Sequence, residues 1–304
     1  MRRAKVYIGV DIGKTKIAAG LVRDGAVMQK STIKTAYREG FDKVYEQTTN
    51  TVSKLVERAG RYGELSGIGI AMFGIVDSAR GLLVASSLTT ERRNIKLQAM
   101  FEERFGKTVI LSNDVSAEAI GEHFYGAGKG VDNSVFVAIG TGMGTGIVIN
   151  NRPFHGSHML AGQTGWAGFL DTSRTWEDYT SGSGIARRAA KLIGTGVSAQ
   201  KVFEYEARGD PRAAAIVDDA VRHAATHLVM LQRTLDPEVI VLGGGVISRQ
   251  HAYFERIVNE ASGLNGLYRA VAADTIRIKR AELGEKAGLV GATKYVELSL
   301  VGNI

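Results

Sequence analysis

The chain has 304 residues, of which 44% are hydrophobic and 23% charged, with a formal charge of +7, 38 glycines, 3 prolines and no cysteine. The lack of cysteine excludes disulfides and thiolate metal sites, and no apolar run approaches the roughly 18 residues of a membrane-spanning helix. Lysine and arginine are scattered along the chain, so the positive balance points to a solvated surface or an anion-binding cleft and away from nucleic acid.

Near the N-terminus, Arg2, Arg3 and Lys5 precede a short apolar run that meets Asp11, too brief for a signal-peptide core, and the expectation is a cytoplasmic protein. Residues 6–22 then read as strand, tight polar turn, strand, with Asp24 and Gly25 opening a further hairpin. In the first turn Gly13, Thr15 and Lys16 offer backbone N–H groups, a hydroxyl and an ammonium, which suits a polyphosphate, although a plain hairpin turn needs the same residues. From Phe41 to about Gly60 the apolar positions Val44, Val52, Leu55, Val56 and Ala59 recur at helical spacing. Leu65–Phe73 alternates glycine with β-branched residues and reads as a buried parallel strand ending at Gly74. A loop and short strand follow over Ile75–Val84, and a helix over Leu97–Phe105.

The next strand, Thr108–Leu111, leads directly into Asn113 and Asp114. A carboxylate at the carboxyl end of a strand, where α/β sheets place ligands, can accept a proton from a substrate hydroxyl. The same pair also suits a helix N-cap, because Ala117, Glu118 and Ala119 continue a helix through Glu122.

Residues 135–149 repeat the pattern of strand, Gly/Thr turn and strand around Thr141, Gly142 and Gly144. A strand follows this turn where a dinucleotide fingerprint requires a helix, which argues against NAD. Two such units imply two similar halves facing each other over a nucleotide. Helices are expected from near Ser183 to Ile193, at Val197–Glu206, Arg212–Leu235 and Tyr253–Glu260, with Pro211 as a separator. The strand Val239–Leu242 ends in Gly243, Gly244 and Gly245, which would let a flat ring such as adenosine approach the backbone. A last helix begins at Ala287, rich in small residues and able to cross back to the first domain. His155 and His158, three apart in a glycine-rich loop, are either metal ligands or surface and sugar-pocket residues.

Taken together, Asp11-Ile12-Gly13-x-Thr15-Lys16, Gly74-x-Val76-Asp77, Asn113-Asp114, Glu122-x-x-Tyr125-Gly126-Ala127-Gly128, Gly140-Thr141-Gly142-x-Gly144-x-Gly146 and Leu242-Gly243-Gly244-Gly245 resemble the ROK family of sugar kinases over nearly the whole chain. The resemblance implies an α/β chain of the actin-like ATPase (ribonuclease H-like) fold, with two α/β domains around a cleft. Residues 1–118 with about 287–304 would form the smaller domain and 119–286 the larger. It implies transfer of the γ-phosphate of ATP to a sugar hydroxyl, usually the 6-OH, with Asp114 as general base. Asn113, Gly74, Ser87 and Glu177 would contact the sugar. Gly13, Lys14, Thr15, Lys16, Thr141, Gly142 and Gly144 would contact the phosphates, and Gly243 and Gly244 the adenosine. Asp11 would hold Mg²⁺, in part through water. A homodimer is the first expectation for assembly. Some members are sugar-sensing regulators with a DNA-binding segment ahead of the first strand; the five residues before Val6 are too few for one.

Three departures bear on substrate choice. Gln163 and Trp166 stand where the family carries a glutamate and a histidine, and the zinc cysteines are missing, so no structural zinc is expected. Gln both donates and accepts where a carboxylate only accepts, and Trp offers one donor and a large apolar face that either stacks on a ring or fills core space. An acceptor altered around C1 to C3, such as an amino sugar or a cyclitol, is expected over glucose. Lys14 replaces a second glycine and either adds a cation near the phosphates or points to solvent.

Overall fold

The computed structural model describes residues 3–90, 92–168, 174–265 and 276–302. Two units divide the chain, one of Met1–Gly126, Arg152–Leu160 and Glu285–Ile304, the other of Ala127–Asn151 and Ala161–Gly284. The first break falls beyond the expected residue 118, because the helix that Asp114 opens runs unbroken to Tyr125 and carries its unit with it.

In the first unit a five-stranded sheet has the order β3-β2-β1-β4-β7. Here β1 is Lys5–Ile12, β2 Lys16–Arg23, β3 Ala26–Lys34, β4 Glu64–Met72 and β7 Val109–Asn113. The short β5 (Ile75–Asp77) and β6 (Leu82–Ala85) pair with each other. Asp24 (φ 49°) and Gly25 (φ 76°) both take left-handed conformations, as a tight hairpin between β2 and β3 requires. β1 runs parallel to β4 and β4 to β7, with Asp11 opposite Ala71 and Ala71 opposite Ser112. That register brings Asp11 and the Asn113–Asp114 pair to the same carboxyl edge of the sheet. Val52 and Leu55 of α1 (Phe41–Ala59) and Phe101 of α2 (Leu97–Phe105) bury against Ile8, Val10, Ile68 and Leu111.

On the other face lie α3 (Asp114–Tyr125) and the C-terminal helix Ala287–Leu300. Their small residues allow backbone-to-backbone packing: a Cβ on Gly69 would sit 1.9 Å from the Ala292 carbonyl oxygen, and one on Gly291 1.7 Å from that of Ala117. The expected return of this helix to the first half of the chain is therefore explained by steric fit.

The second unit repeats the scheme. β8 (Ser134–Ile139) pairs antiparallel with β9 (Met143–Ile149) and parallel with the strand Val239–Gly243, which pairs parallel with Ile278–Arg280. Val135, Val137 and Ile240 pack with Ile216, Ala220 and Ala224 of the helix Pro211–Leu235. Pro211 opens this helix, since the first helical position needs no N–H donor and Asp210 caps it through Arg212 and Ala213. Ser198 likewise caps Ala199–Ala207, moving its start past the expected Val197. The helix expected at Tyr253–Glu260 extends over His251–Asn265. A short helix, Gly245–Arg249, follows the triple glycine.

Candidate active site

Asn113 serves as cap and as brace at once. Its Oδ1 accepts from the Ser116 N–H at 3.1 Å, and its Nδ2 donates to the Gly74 carbonyl and to Asp114 Oδ1, both at 2.9 Å. Asp114 Oδ1 also accepts from the Val115 N–H at 3.0 Å, which fixes the plane of the carboxylate. Burial raises the pKa of Asp114, while the Val115 and Asn113 hydrogen bonds and the Lys14 charge pull it back. The pair was read as either a helix cap or a base with a sugar ligand; structurally Asn113 caps, and Asp114 is the group it orients. Gly74, at φ 122° with the Ala85 carbonyl oxygen 2.5 Å from any added Cβ, presents its carbonyl to Asn113. Ser87 is exposed, and its carbonyl accepts from Tyr37 Oη at 3.1 Å.

In the first glycine turn the Gly13 N–H is used internally, donating to the Lys16 carbonyl at 3.0 Å, and Thr35 Oγ1 donates to the Gly13 carbonyl at 2.8 Å. Lys14 and Thr15 stand exposed at its tip. The Lys14 ammonium lies over the Phe73 ring, 5.7 Å from its centroid. Lys16 does not point with them: its ammonium pairs with Glu285 at 2.6 Å, a partner far along the sequence.

Asp11, Asp114 and Glu118 crowd together electrostatically. Burial and the Asp114 charge push Asp11 up to about 7, and Glu118 rises well above the usual carboxylate range through burial and the charges of Asp11, Asp114 and Glu122. Among the described residues no group of three or more His, Asp or Glu could hold a metal ion by itself. Because Asp11 keeps its proton in the fold between its ordinary 3.8 and about 7, stability falls as pH rises through that window. Asp11→Asn is expected to raise Tm at pH 8, by a gain of at most about 4 kcal/mol, and to leave it nearly unchanged at pH 4, as thermal melts will show.

The second turn hangs on the start of the helix Gly182–Leu192. The Gly182 N–H donates to the Gly140 carbonyl at 2.9 Å and the Ser183 N–H to that of Thr141 at 3.2 Å, while Thr141 remains exposed. Glu177 braces this turn: its Oε2 accepts from the Met143 N–H at 2.9 Å, and a Cβ on Gly142 would meet it at 2.7 Å. Gly144 lies within β9 opposite Ala138. Gly244 (φ 89°) crosses the Ile139 backbone, where a Cβ would sit 2.6 Å away. Gly243 is buried against the Phe136 ring, which accounts for it by packing alone.

Gln163 and Trp166 share one 3-10 turn, Gln163–Trp166. Trp166 is 58% exposed, so it does not fill a core. Thr164, between them, is hydrogen-bonded to the buried His227 and to Thr145, a link sequence reading missed. Glu118 stands one helical turn after Asp114, a spacing readable in the sequence. His155 is a half-buried ring whose Nε2 lies 3.3 Å from Tyr295 Oη, its pKa lowered by desolvation.

Residues 7–298 match the ROK family. The chain is a member of the ROK family. A glucokinase of Streptomyces coelicolor is 30% identical, covering 94% of this chain and 95% of its own. Among solved structures, a ROK hexokinase from Thermus thermophilus superposes with a TM-score of 0.84 at 28% identity, over 97% of this chain and 99% of the other. A ROK family glucokinase from Streptomyces griseus, in complex with glucose and AMPPNP, gives 0.75 at 28%, over 95% and 98%. These similarities establish the actin-like ATPase fold for this ROK protein, and the relatives it matches include glucokinases and a hexokinase.

Proposed function

We propose that this ROK protein is an ATP-dependent kinase that transfers the γ-phosphate to a hydroxyl, of the 6-OH type, on a sugar or sugar-like acceptor. The observation that carries the reading is Asp114, a carboxylate at the carboxyl end of the parallel strands β1, β4 and β7, held in one plane by Asn113 and Val115 with both bonds on Oδ1. Asp114 takes the proton as the acceptor oxygen attacks the γ-phosphorus and the bond to the bridging oxygen of ADP breaks. Its raised pKa makes it a stronger base than a solvated aspartate, and the Lys14 ammonium favours the ionised form at neutral pH. The exposed Lys14–Thr15 tip in the first unit, and in the second the turn at the exposed Thr141 and half-buried Gly142, each suit phosphate oxygens, and Gly244 suits an adenosine. When bound at Asp11, Mg²⁺ would neutralise charge on those phosphates.

Gln163 and Trp166 select the acceptor. The exposed indole offers a flat apolar surface to a ring face, and the amide reads a donor as readily as an acceptor. We therefore take an amino sugar or a cyclitol as the preferred class over D-glucose. An ADP-release screen of hexoses, amino sugars and cyclitols tests this: kcat/KM for the best amino sugar or cyclitol is expected to exceed that for glucose at least about tenfold, the value of one well-matched hydrogen bond. Glucose at the head of the series would overturn the assignment.

A further inference from the structure

The acceptor-reading turn Gln163–Trp166 is short, and its two reading side chains are only partly buried or exposed. A 3-10 turn of this length has few internal hydrogen bonds of its own, so something else must hold it still. Its entrance is clipped to β9 by backbone: the Thr145 N–H donates to the Gly162 carbonyl at 3.1 Å, and Gly162 (φ 88°) lies so close that a Cβ would come within 2.1 Å of the Thr145 carbonyl oxygen. Its middle is held by side chains. Thr164 Oγ1 lies 2.7 Å from Thr145 Oγ1 and 2.8 Å from His227 Nε2.

His227 comes from the interior of the long helix Pro211–Leu235 and is wholly buried, its ring 5.3 Å from the ring of the buried Trp176. The other nitrogen, Nδ1, is buried with no hydrogen-bond partner. A bare ring nitrogen tolerates that better than an N–H, which assigns the proton to Nε2 and makes His227 the donor to Thr164. Burial lowers its pKa to about 3, so the ring stays neutral and the bond keeps one polarity at any physiological pH.

We infer that His227 is a positioning residue for acceptor recognition, anchoring the Gln163–Trp166 turn to the helix Pro211–Leu235 and to β9 through the chain His227–Thr164–Thr145. This inference rests on the kinase reading only for its kinetic consequence. A histidine that merely filled space would be replaceable by leucine without effect on the turn. As an anchor it is not, because losing Nε2 frees the Thr164 hydroxyl and with it the residues on either side.

The test compares His227→Leu, His227→Gln and Thr164→Val in the full chain. Glutamine places an amide N–H where Nε2 stands and is the conservative rescue. In His227→Leu and Thr164→Val, KM for the best acceptor is expected to rise about tenfold, with kcat and KM for ATP within about twofold, and amide exchange over residues 162–167 to quicken about tenfold. His227→Gln is expected to restore both readouts to near wild type. Unchanged exchange over 162–167 in both disruptive variants would overturn the inference, as would Gln behaving like Leu in a folded protein. Should His227→Leu fail to fold, Thr164→Val alone decides. Exchange needs no turnover, so a wild type that phosphorylates no acceptor would defeat the kinase reading and leave the anchor still judged by exchange.

Discussion

Asp114→Asn is expected to lower kcat by about 10²- to 10⁴-fold while the affinity for ATP, measured calorimetrically, stays within about twofold. The substitution is close to isosteric, and an amide oxygen can still accept from the Val115 N–H and the Asn113 amide, so the edge of the sheet keeps its shape. What disappears is the group able to take a proton. Because burial raises the pKa of Asp114, the acid limb of the wild-type kcat/KM profile is expected above the ordinary carboxylate range: activity falls as pH drops through the raised value. Lys14→Met removes a charge that opposes the shift, and should move that limb further up. Turnover of Asp114→Asn within tenfold of wild type would remove Asp114 from the chemistry.

The largest structural effect is expected at Gly291. A Cβ there would lie 1.7 Å from the Ala117 carbonyl oxygen and 2.9 Å from the Gly121 N–H nitrogen, both backbone atoms of the helix that begins with Asp114. No side-chain rotation relieves a clash with backbone, so Gly291→Val must push the C-terminal helix off α3. The expected cost exceeds about 4 kcal/mol, enough to leave little folded protein in a denaturation experiment. Gly60→Ala is the control. Its φ of −57° suits any residue and nothing lies within 4 Å of the added methyl, so stability is expected to hold or rise by a few tenths of a kcal/mol.

Local patterns carried much of the fold. Val44, Val52, Leu55 and Ala59 recur at helical spacing and form the buried face of α1. The Gly/Thr turns announced two antiparallel hairpins, and the structure pairs β1 with β2 and β8 with β9. Helix starts were less legible wherever a capping side chain or a proline set them, as at Ser198 and Pro211. In the site, the Asn113–Asp114 pair stood out because two polar residues end an apolar strand, and the structure shows Asn113 capping the helix that follows. The ion pair of Lys16 was not legible because its partner, Glu285, lies beyond any local window. Glu177, a sugar contact by resemblance, also accepts from the Met143 N–H, a bond that no local pattern announces. His227 was invisible for the same reason as Glu285: one histidine on an apolar helix face looks like core until Thr164 is placed beside it.

Whether phosphate moves from ATP to an acceptor decides the kinase assignment. ³¹P NMR of the wild-type protein with ATP, Mg²⁺ and an amino sugar or cyclitol is expected to show a new phosphomonoester signal, coupled to the proton or protons of the carbon bearing the accepting hydroxyl and growing as the γ-phosphate signal falls. The Asp114→Asn protein is expected to give neither change on the same timescale. Loss of the γ-phosphate to inorganic phosphate alone, or no acceptor-dependent change across the whole panel, would contradict it.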